Sequence, residues 1–195
     1  MAVQRLIVGI TGASGAVYGQ TALKALRLAG VETHLVISRS GQITIAHELK
    51  IKVSDLSALA DVTYRVDDIG AAISSGSFPT VGMLVAPCSI RTLAEIACGV
   101  TSSLLTRAAD VVLKERRRLV LMVRETPFHL GHLRSMTQVT EMGAIVMPPV
   151  PAFYTCPTTI EDIVNHSVGR ALDLFGLKND LVPRWGETIG IGSPR

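Results

Sequence analysis

Residues 5–19, RLIVGITGASGAVYG, constrain the fold more than any other stretch of the chain. Residues 6–10 form a short apolar run rich in β-branched side chains, the pattern of a strand covered on both faces. Thr11-Gly12-Ala13-Ser14-Gly15 breaks that run with glycines, which accept backbone angles and close approaches that a Cβ forbids. Ala16, Gly19, Leu23 and Leu26 then recur at spacings of 3, 4 and 3, which is one face of a helix. Such a turn aims free backbone N–H groups above the strand, and the helix dipole favours an anion there. Two readings stay open: a phosphate-binding turn, or a plain βα connection whose glycines serve tight packing. No Gly-Lys-Ser/Thr closes the turn, so it is not a P-loop. Glycines at 9, 12, 15 and 19 do not make the dinucleotide motif either.

The rest of the chain repeats the alternation. Residues 31–37 read as a strand ending at Ser38, and 39–49 as a helix carrying Glu48 near its end. Residues 52–70 show no clear period beyond a short helix at 54–60, and 74–77 are a loop by composition. An apolar strand over 81–86 is stopped by Pro87, and Ser89 suits the cap of the helix that follows. A helix over 104–117, a strand over 119–123, a helix over 129–142 and a strand over 144–147 come next. Thr158-x-x-Glu161 reads as a capping box for a helix reaching about Leu174, and residues from about 180 form a tail over the site. The class predicted is α/β: one domain, a doubly wound parallel sheet in three layers, flavodoxin-like or Rossmann-like. Ligands of such sheets bind beyond the carboxyl ends of the strands. The loops there carry Ser14, Ser38, Ser89, Arg91, Thr92, Arg124, Glu125 and Tyr154, a set suited to a phosphorylated aromatic ligand.

Composition adds the setting. Over 195 residues, 48% are hydrophobic and only 18% charged, yet no apolar run approaches the roughly 20 residues that span a bilayer. The opening apolar stretch is too short for a signal peptide. A cytoplasmic homo-oligomer burying surface between subunits is expected. The net charge of +3 concentrates in Lys114-Glu115-Arg116-Arg117-Arg118, read as a solvated helix end. No aromatic residues interleave with it for nucleic-acid stacking. Three cysteines without C-x-x-C spacing argue against a disulfide framework or a zinc site. His129-x-x-His132 lacks a carboxylate partner and reads as helix surface, and Cys88 as a small buried residue. Arg107, Lys114, Arg124, Tyr154 and Arg170 suit phosphate, arginine through its fixed fork of donors. Glu48 and Glu125 can move protons or pair with those arginines.

TGASGAVYG at 11–19, SSGSF at 74–78, APCS at 86–89, RAADVVLKERR at 107–117, RETP at 124–127 and PPVPAFY at 148–154 occur together and in order. As a set they resemble the UbiX-type flavin prenyltransferases, formerly described as aromatic-acid decarboxylases, from about residue 4 to 187. The resemblance implies a flavodoxin-like homo-oligomer, typically a dodecamer. It implies metal-free transfer of a dimethylallyl group from dimethylallyl monophosphate to N5 and C6 of reduced FMN. The prenylated FMN serves UbiD-type decarboxylases.

By the same resemblance Gly12, Ala13, Ser14, Ser38, Ser89, Ile90, Arg91, Thr92 and Arg124 hold FMN. Tyr154, Arg170, Lys114, Arg107 and Trp185 hold the prenyl phosphate, some of them across a subunit boundary. Ser14, Glu48, Glu125 and Lys114 take part in the chemistry. One departure stands out: Thr101-Ser102-Ser103 replaces the acidic or amide residue with glycine or asparagine that the family usually has. Two other functions fit an FMN site of this kind. An FMN-dependent decarboxylase of the phosphopantothenoylcysteine type would need an asparagine-containing turn where this chain has PCSIRT. A non-catalytic FMN-binding accessory subunit would use the same residues.

Overall fold

The structure, a computed structural model, describes residues 4–187 and 189–190. Six strands make one parallel sheet: β1 (Arg5–Ile10), β2 (Glu32–Ile37), β3 (Val62–Tyr64), β4 (Gly82–Cys88), β5 (Arg118–Val123) and β6 (Ile145–Val146). Their spatial order is β3-β2-β1-β4-β5-β6, and every neighbouring pair is parallel. The helices are α1 (Ala16–Leu28), α2 (Arg39–Leu49), α3 (Val53–Ser57), α4 (Ile90–Ala97), α5 (Leu104–Lys114), α6 (Leu130–Glu141) and α7 (Ile160–Asp173). Short 3₁₀ turns cover Ala72–Ser74 and Phe153–Thr155. Among the described residues no helix is long and apolar enough to cross a membrane.

Strand alternation divides the core in two. Leu6, Val8, Ile10, Leu84, Ala86, Val120 and Met122 face one layer, built from α1 and α7 with Ile45 and Leu56. Ile7, Met83, Val85, Leu119, Leu121 and Val123 face the other, built from α4, α5 and Val139 of α6. Both faces of the central strands are therefore dry, as their unbroken apolar sequence requires. Close packing reaches the backbone at Gly19, where an added Cβ would lie 2.5 Å from the Ala86 carbonyl oxygen.

Several local expectations change. β3 lies inside the stretch without period; three residues pairing only with β2 are too few to show one. β4 continues through Pro87 to Cys88, because Pro87 needs no N–H there and its carbonyl accepts from both the N–H and the hydroxyl of Thr11. α5 ends at Lys114, three residues short of the expected 117. Beyond it, Arg117 is not a solvated end. Its guanidinium donates to the carbonyls of Gly76 and Phe78, both at 2.7 Å, and Arg118 donates to the Leu174 carbonyl. The last capping box is Thr159 with Asp162, one residue later than expected, since the Asp162 carboxylate also takes the N–H and hydroxyl of Thr158.

Candidate active site

The chain runs from β1 outward to β2 and β3, then returns to the other side of β1 with β4. The strand order reverses between β1 and β4, and ligand crevices of open α/β sheets lie at that point. A cleft of about 750 Å³ opens there, within the usual size of cofactor sites. Its lining includes Gly12 after β1, Ser38 to Ser40 after β2, Ser89, Arg91 and Thr92 after β4, and Ser102-Ser103 before α5.

Three serines on this lining each cap a helix. Ser38 Oγ accepts the Gly41 N–H at 3.0 Å, Ser89 Oγ the Thr92 N–H at 3.3 Å, and Ser103 Oγ the Thr106 N–H at 3.3 Å. The N-termini of α2, α4 and α5 thus converge on one cleft, and their dipoles favour an anion there. Hydroxyl rotors and Arg39 add donors, while Arg91 spends its Nε on Glu95 at 2.9 Å, and Glu95 and Asp67 put two carboxylates on the same lining. Gly12 leaves room for this arrangement: a Cβ on it would lie 2.5 Å from Ser40. Thr11 ties the crevice walls together, because its buried hydroxyl accepts the Ser89 N–H at 2.8 Å while donating to Pro87.

The N-terminus of α1 is occupied otherwise. Gly15, left-handed at φ 109°, supplies no side-chain cap, and the first turn holds no acidic residue. Glu48 of α2 reaches over instead, and its carboxylate accepts the N–H groups of Gly15 and Ala16, each at 2.9 Å. The glycine turn does bind an anion through two backbone N–H groups, but that anion is the protein's own. Burial works against ionising Glu48. Hydrogen bonds from Ser14, Ala16 and Gly15, with the charge of Arg124, outweigh it and hold the carboxyl below its ordinary range. Arg124 also bears on Tyr18 of α1, whose hydroxyl is pushed up by burial against that nearby charge.

Of the residues expected at the flavin, Gly12, Ser38, Ser89, Arg91 and Thr92 line the cleft. Ala13 and Ser14 belong to the same glycine turn, and Ile90 opens α4. Arg124 leaves β5 with its N–H on the Cys88 carbonyl at 3.0 Å. Glu125 is half-buried and accepts the Thr126 N–H at 2.9 Å. Cys88 is fully buried and its thiol is pushed up to about 12 by that burial, so it is no nucleophile.

A second cluster joins Tyr154 to Trp185 and to His166 of α7, the helix that also carries Arg170. The Tyr154 and Trp185 rings meet edge to face at 5.5 Å, and Tyr154 Oη lies 3.1 Å from Nε2 of His166. Asp173 joins the cluster to the tail: it accepts Arg170 at 2.8 Å, Arg184 through two bonds at 2.6 and 2.9 Å, and Asn179 at 3.1 Å. Residues 188 and 191–195, part of the expected tail, lie outside the described residues.

Arg107 lies in the first turn of α5, its N–H on the carbonyl of cleft-lining Ser103, and Lys114 ends that helix. Arg107 pairs with Asp110 at 2.7 Å, and Lys114 pairs with Glu115. Lys114 ends α5 about 15 Å below the cleft-lining start of that helix, at 1.5 Å per residue. It borders the 74–78 loop that Arg117 holds. Within one subunit Tyr154 meets Trp185 and His166, Arg170 lies one helical turn beyond His166 on Asp173, and Lys114 lies at the far end of α5 from the cleft. Sequence reading missed Arg39 and Ser40 on the cleft, and His166 behind Tyr154. Ser103 carried a local signal, the serine three residues before Thr106.

An open, doubly wound sheet with an anion-seeking cleft at its switch point defines a mononucleotide-binding α/β class. In agreement, the Flavoprotein family matches residues 1–172. Flavin prenyltransferase UbiX of Thauera aromatica is 56% identical over 181 residues, covering 93% of each chain. Flavin prenyltransferase UbiX of Escherichia coli K12 is 57% identical over 185 residues, 93% of this chain and 98% of the relative. Among solved structures, AnUbiX (PadA1) in complex with FMN and dimethylallyl pyrophosphate superposes with a TM-score of 0.93 at 50% identity, covering 95% of this chain and 98% of that one. A dodecameric FMN-dependent UbiX-like decarboxylase from Escherichia coli O157:H7 gives 0.91 at 50% identity, covering 93% and 99%. The chain belongs to the UbiX family of flavin prenyltransferases.

Proposed function

We propose that the protein transfers the dimethylallyl group of dimethylallyl monophosphate to N5 and C6 of reduced FMN, without a metal ion. The product, prenylated FMN, goes to a UbiD-type decarboxylase. The observation that carries this is the convergence of three serine-capped helix N-termini on the switch-point cleft. The residues suit FMN: stacked donors for a phosphate, a glycine where a Cβ would intrude, and a cleft of sufficient volume.

Ser38, Ser89, Arg91 and Thr92 hold the flavin, with Gly12, Ala13, Ser14 and Ile90 beside it and Arg124 at the rim. Reduced FMN supplies the nucleophilic nitrogen and carbon. Tyr154 and Arg170 hold the prenyl phosphate, and Arg170 neutralises it as it leaves with the electrons of the C–O bond. The faces of Tyr154 and Trp185 stabilise the allylic cation, at about 0.5–2 kcal/mol per ring. Trp185 also keeps water out. Glu48, ionised and hydrogen-bonded to Ser14, accepts and returns the protons that ring closure displaces, and Glu125 lies on the same rim.

Arg107 and Lys114, paired in their own subunit with Asp110 and Glu115, are assigned to the phosphate bound by a neighbouring subunit. Exposed apolar side chains, among them Phe153, Ile160, Leu130 and Leu133, fit burial between subunits of a homo-oligomer, which we infer to be a cytoplasmic dodecamer. The test is anaerobic incubation of the protein with reduced FMN and dimethylallyl monophosphate, followed by mass spectrometry of the flavin. A flavin heavier by one dimethylallyl unit, less the displaced hydrogen, is expected; an unchanged flavin rejects the reading.

A further inference from the structure

His166 lies on α7 with 9% of its surface exposed, one helical turn before Arg170. Its Nε2 is 3.1 Å from the hydroxyl of Tyr154, and the two rings meet edge to face at 5.7 Å. Tyr154 itself is about half exposed. Its ring touches Trp185 as well, so one phenol is held by an indole and an imidazole.

We propose that His166 is a positioning residue for the prenyl-phosphate half of the site, donating through Nε2 to Tyr154 Oη and so leaving the phenol proton free for the phosphate. The inference rests on the reading of Tyr154 as a phosphate ligand. A phenol oxygen both accepts and donates. If it donates to imidazole, it has no proton left for an anion. If imidazole donates to it, the phenol proton is free to point at the substrate. Burial, and next the Arg170 charge, hold His166 below its ordinary value against the pull of Asp173, so the ring is neutral near pH 7 and carries one N–H. Placing that hydrogen on Nε2 also polarises the phenol and strengthens its bond to phosphate.

The test uses the FMN-loaded enzyme, with KM for dimethylallyl monophosphate, kcat and FMN affinity measured for each variant. H166F removes the donor and keeps the ring. It should raise KM about three- to tenfold, the worth of one ordinary hydrogen bond. The kcat should stay within about twofold and FMN affinity should not change. H166Q, whose amide donates at similar reach, should restore KM. H166N, too short to reach Oη, should behave like H166F and carries the test if H166F does not fold. In a Y154F background, H166F should add nothing. An unchanged KM in both H166F and H166N, with Y154F impaired, overturns the role of His166 alone; so does an additive effect with Y154F. An unaffected Y154F overturns the reading of Tyr154 itself, and this inference with it.

Discussion

The Glu48 carboxylate accepts the N–H of Ala16 at 2.9 Å, so a residue near the end of α2 caps the start of α1. The negative charge lies where the α1 dipole is positive, and it ties the end of α2 to the glycine turn. E48Q keeps the shape and one acceptor but loses the charge. It should cost about 0.5–1 kcal/mol of unfolding free energy near neutral pH, and it should slow prenylation while FMN still binds. The pH dependence has a definite sign. The folded carboxyl titrates below its unfolded value, so its contribution is complete above the unfolded value and is lost as pH falls through the folded one. Denaturant melts of wild type and E48Q should therefore differ at pH 7 and converge in acid. A gap that widens on acidification would contradict the arrangement.

Ser89 does two jobs that substitution can separate. Its oxygen caps α4, and the residue lines the switch-point cleft proposed to hold the flavin. S89A should lose about 1 kcal/mol of stability with the cap, and S89G only a few tenths. Both should weaken FMN binding by roughly tenfold, read by flavin fluorescence. Equal FMN affinity in S89G and wild type would remove the hydroxyl from the flavin contacts.

Arg170 tests the proposed division of the site into flavin and prenyl-phosphate halves. It is not among the residues lining the switch-point cleft, lies one helical turn beyond His166, and rests on Asp173 at 2.8 Å. R170A should retain FMN and lose prenylation by about 10²–10³-fold, the scale of one removed anion donor at a transition state. Loss of FMN from R170A would show that the flavin and prenyl-phosphate contacts are not divided in this way.

Asp173 holds the tail. Burial opposes its ionisation, but Arg184, Arg170 and Asn179 more than compensate and keep the carboxyl below its ordinary range. D173N should cost about 1 kcal/mol, because it removes the charge that accepts hydrogen bonds from Arg170, Arg184 and Asn179 at a partly solvated site. Proteolysis within residues 178–187 should become faster. KM for the prenyl phosphate should rise, because Trp185 follows Arg184 directly, and FMN affinity should not. Protease resistance equal to wild type would mean that the tail is held by other contacts.

The elements themselves were largely legible. Apolar runs at 6–10, 81–86 and 119–123 announced the central strands, because buried parallel strands need apolar side chains on both faces, and 31–37 read as a strand despite Glu32, Thr33 and His34. Ser38 and Ser89 read as loop hydroxyls beside helix starts, since a cap bonds an N–H only two or three residues on. β3 was hidden by its length. The purpose of Arg117 was hidden because its partners, Gly76 and Phe78, lie 41 and 39 residues away. A run of basic residues looks the same in sequence whether it meets water or carbonyls.

The site divides the same way. Local composition selected the strand-end loops and therefore most of the cleft, residue chemistry selected Tyr154 and Arg170 as phosphate groups, and motif resemblance added Trp185. His166 escaped because a helical histidine shows no sign of the tyrosine twelve residues before it until α7 packs down. The glycine turn at 11–15 is the clearest case of shared credit. Its sequence determined that backbone N–H groups would be presented at a helix start, since that follows from glycine and from helix geometry alone. Which anion they meet was decided only by tertiary structure. Packing of α2 beside α1 carries Glu48, 32 residues from Ala16 along the chain, onto those N–H groups. The reason is physical: backbone conformation is set by neighbours a few residues away, whereas partner identity depends on how whole elements pack.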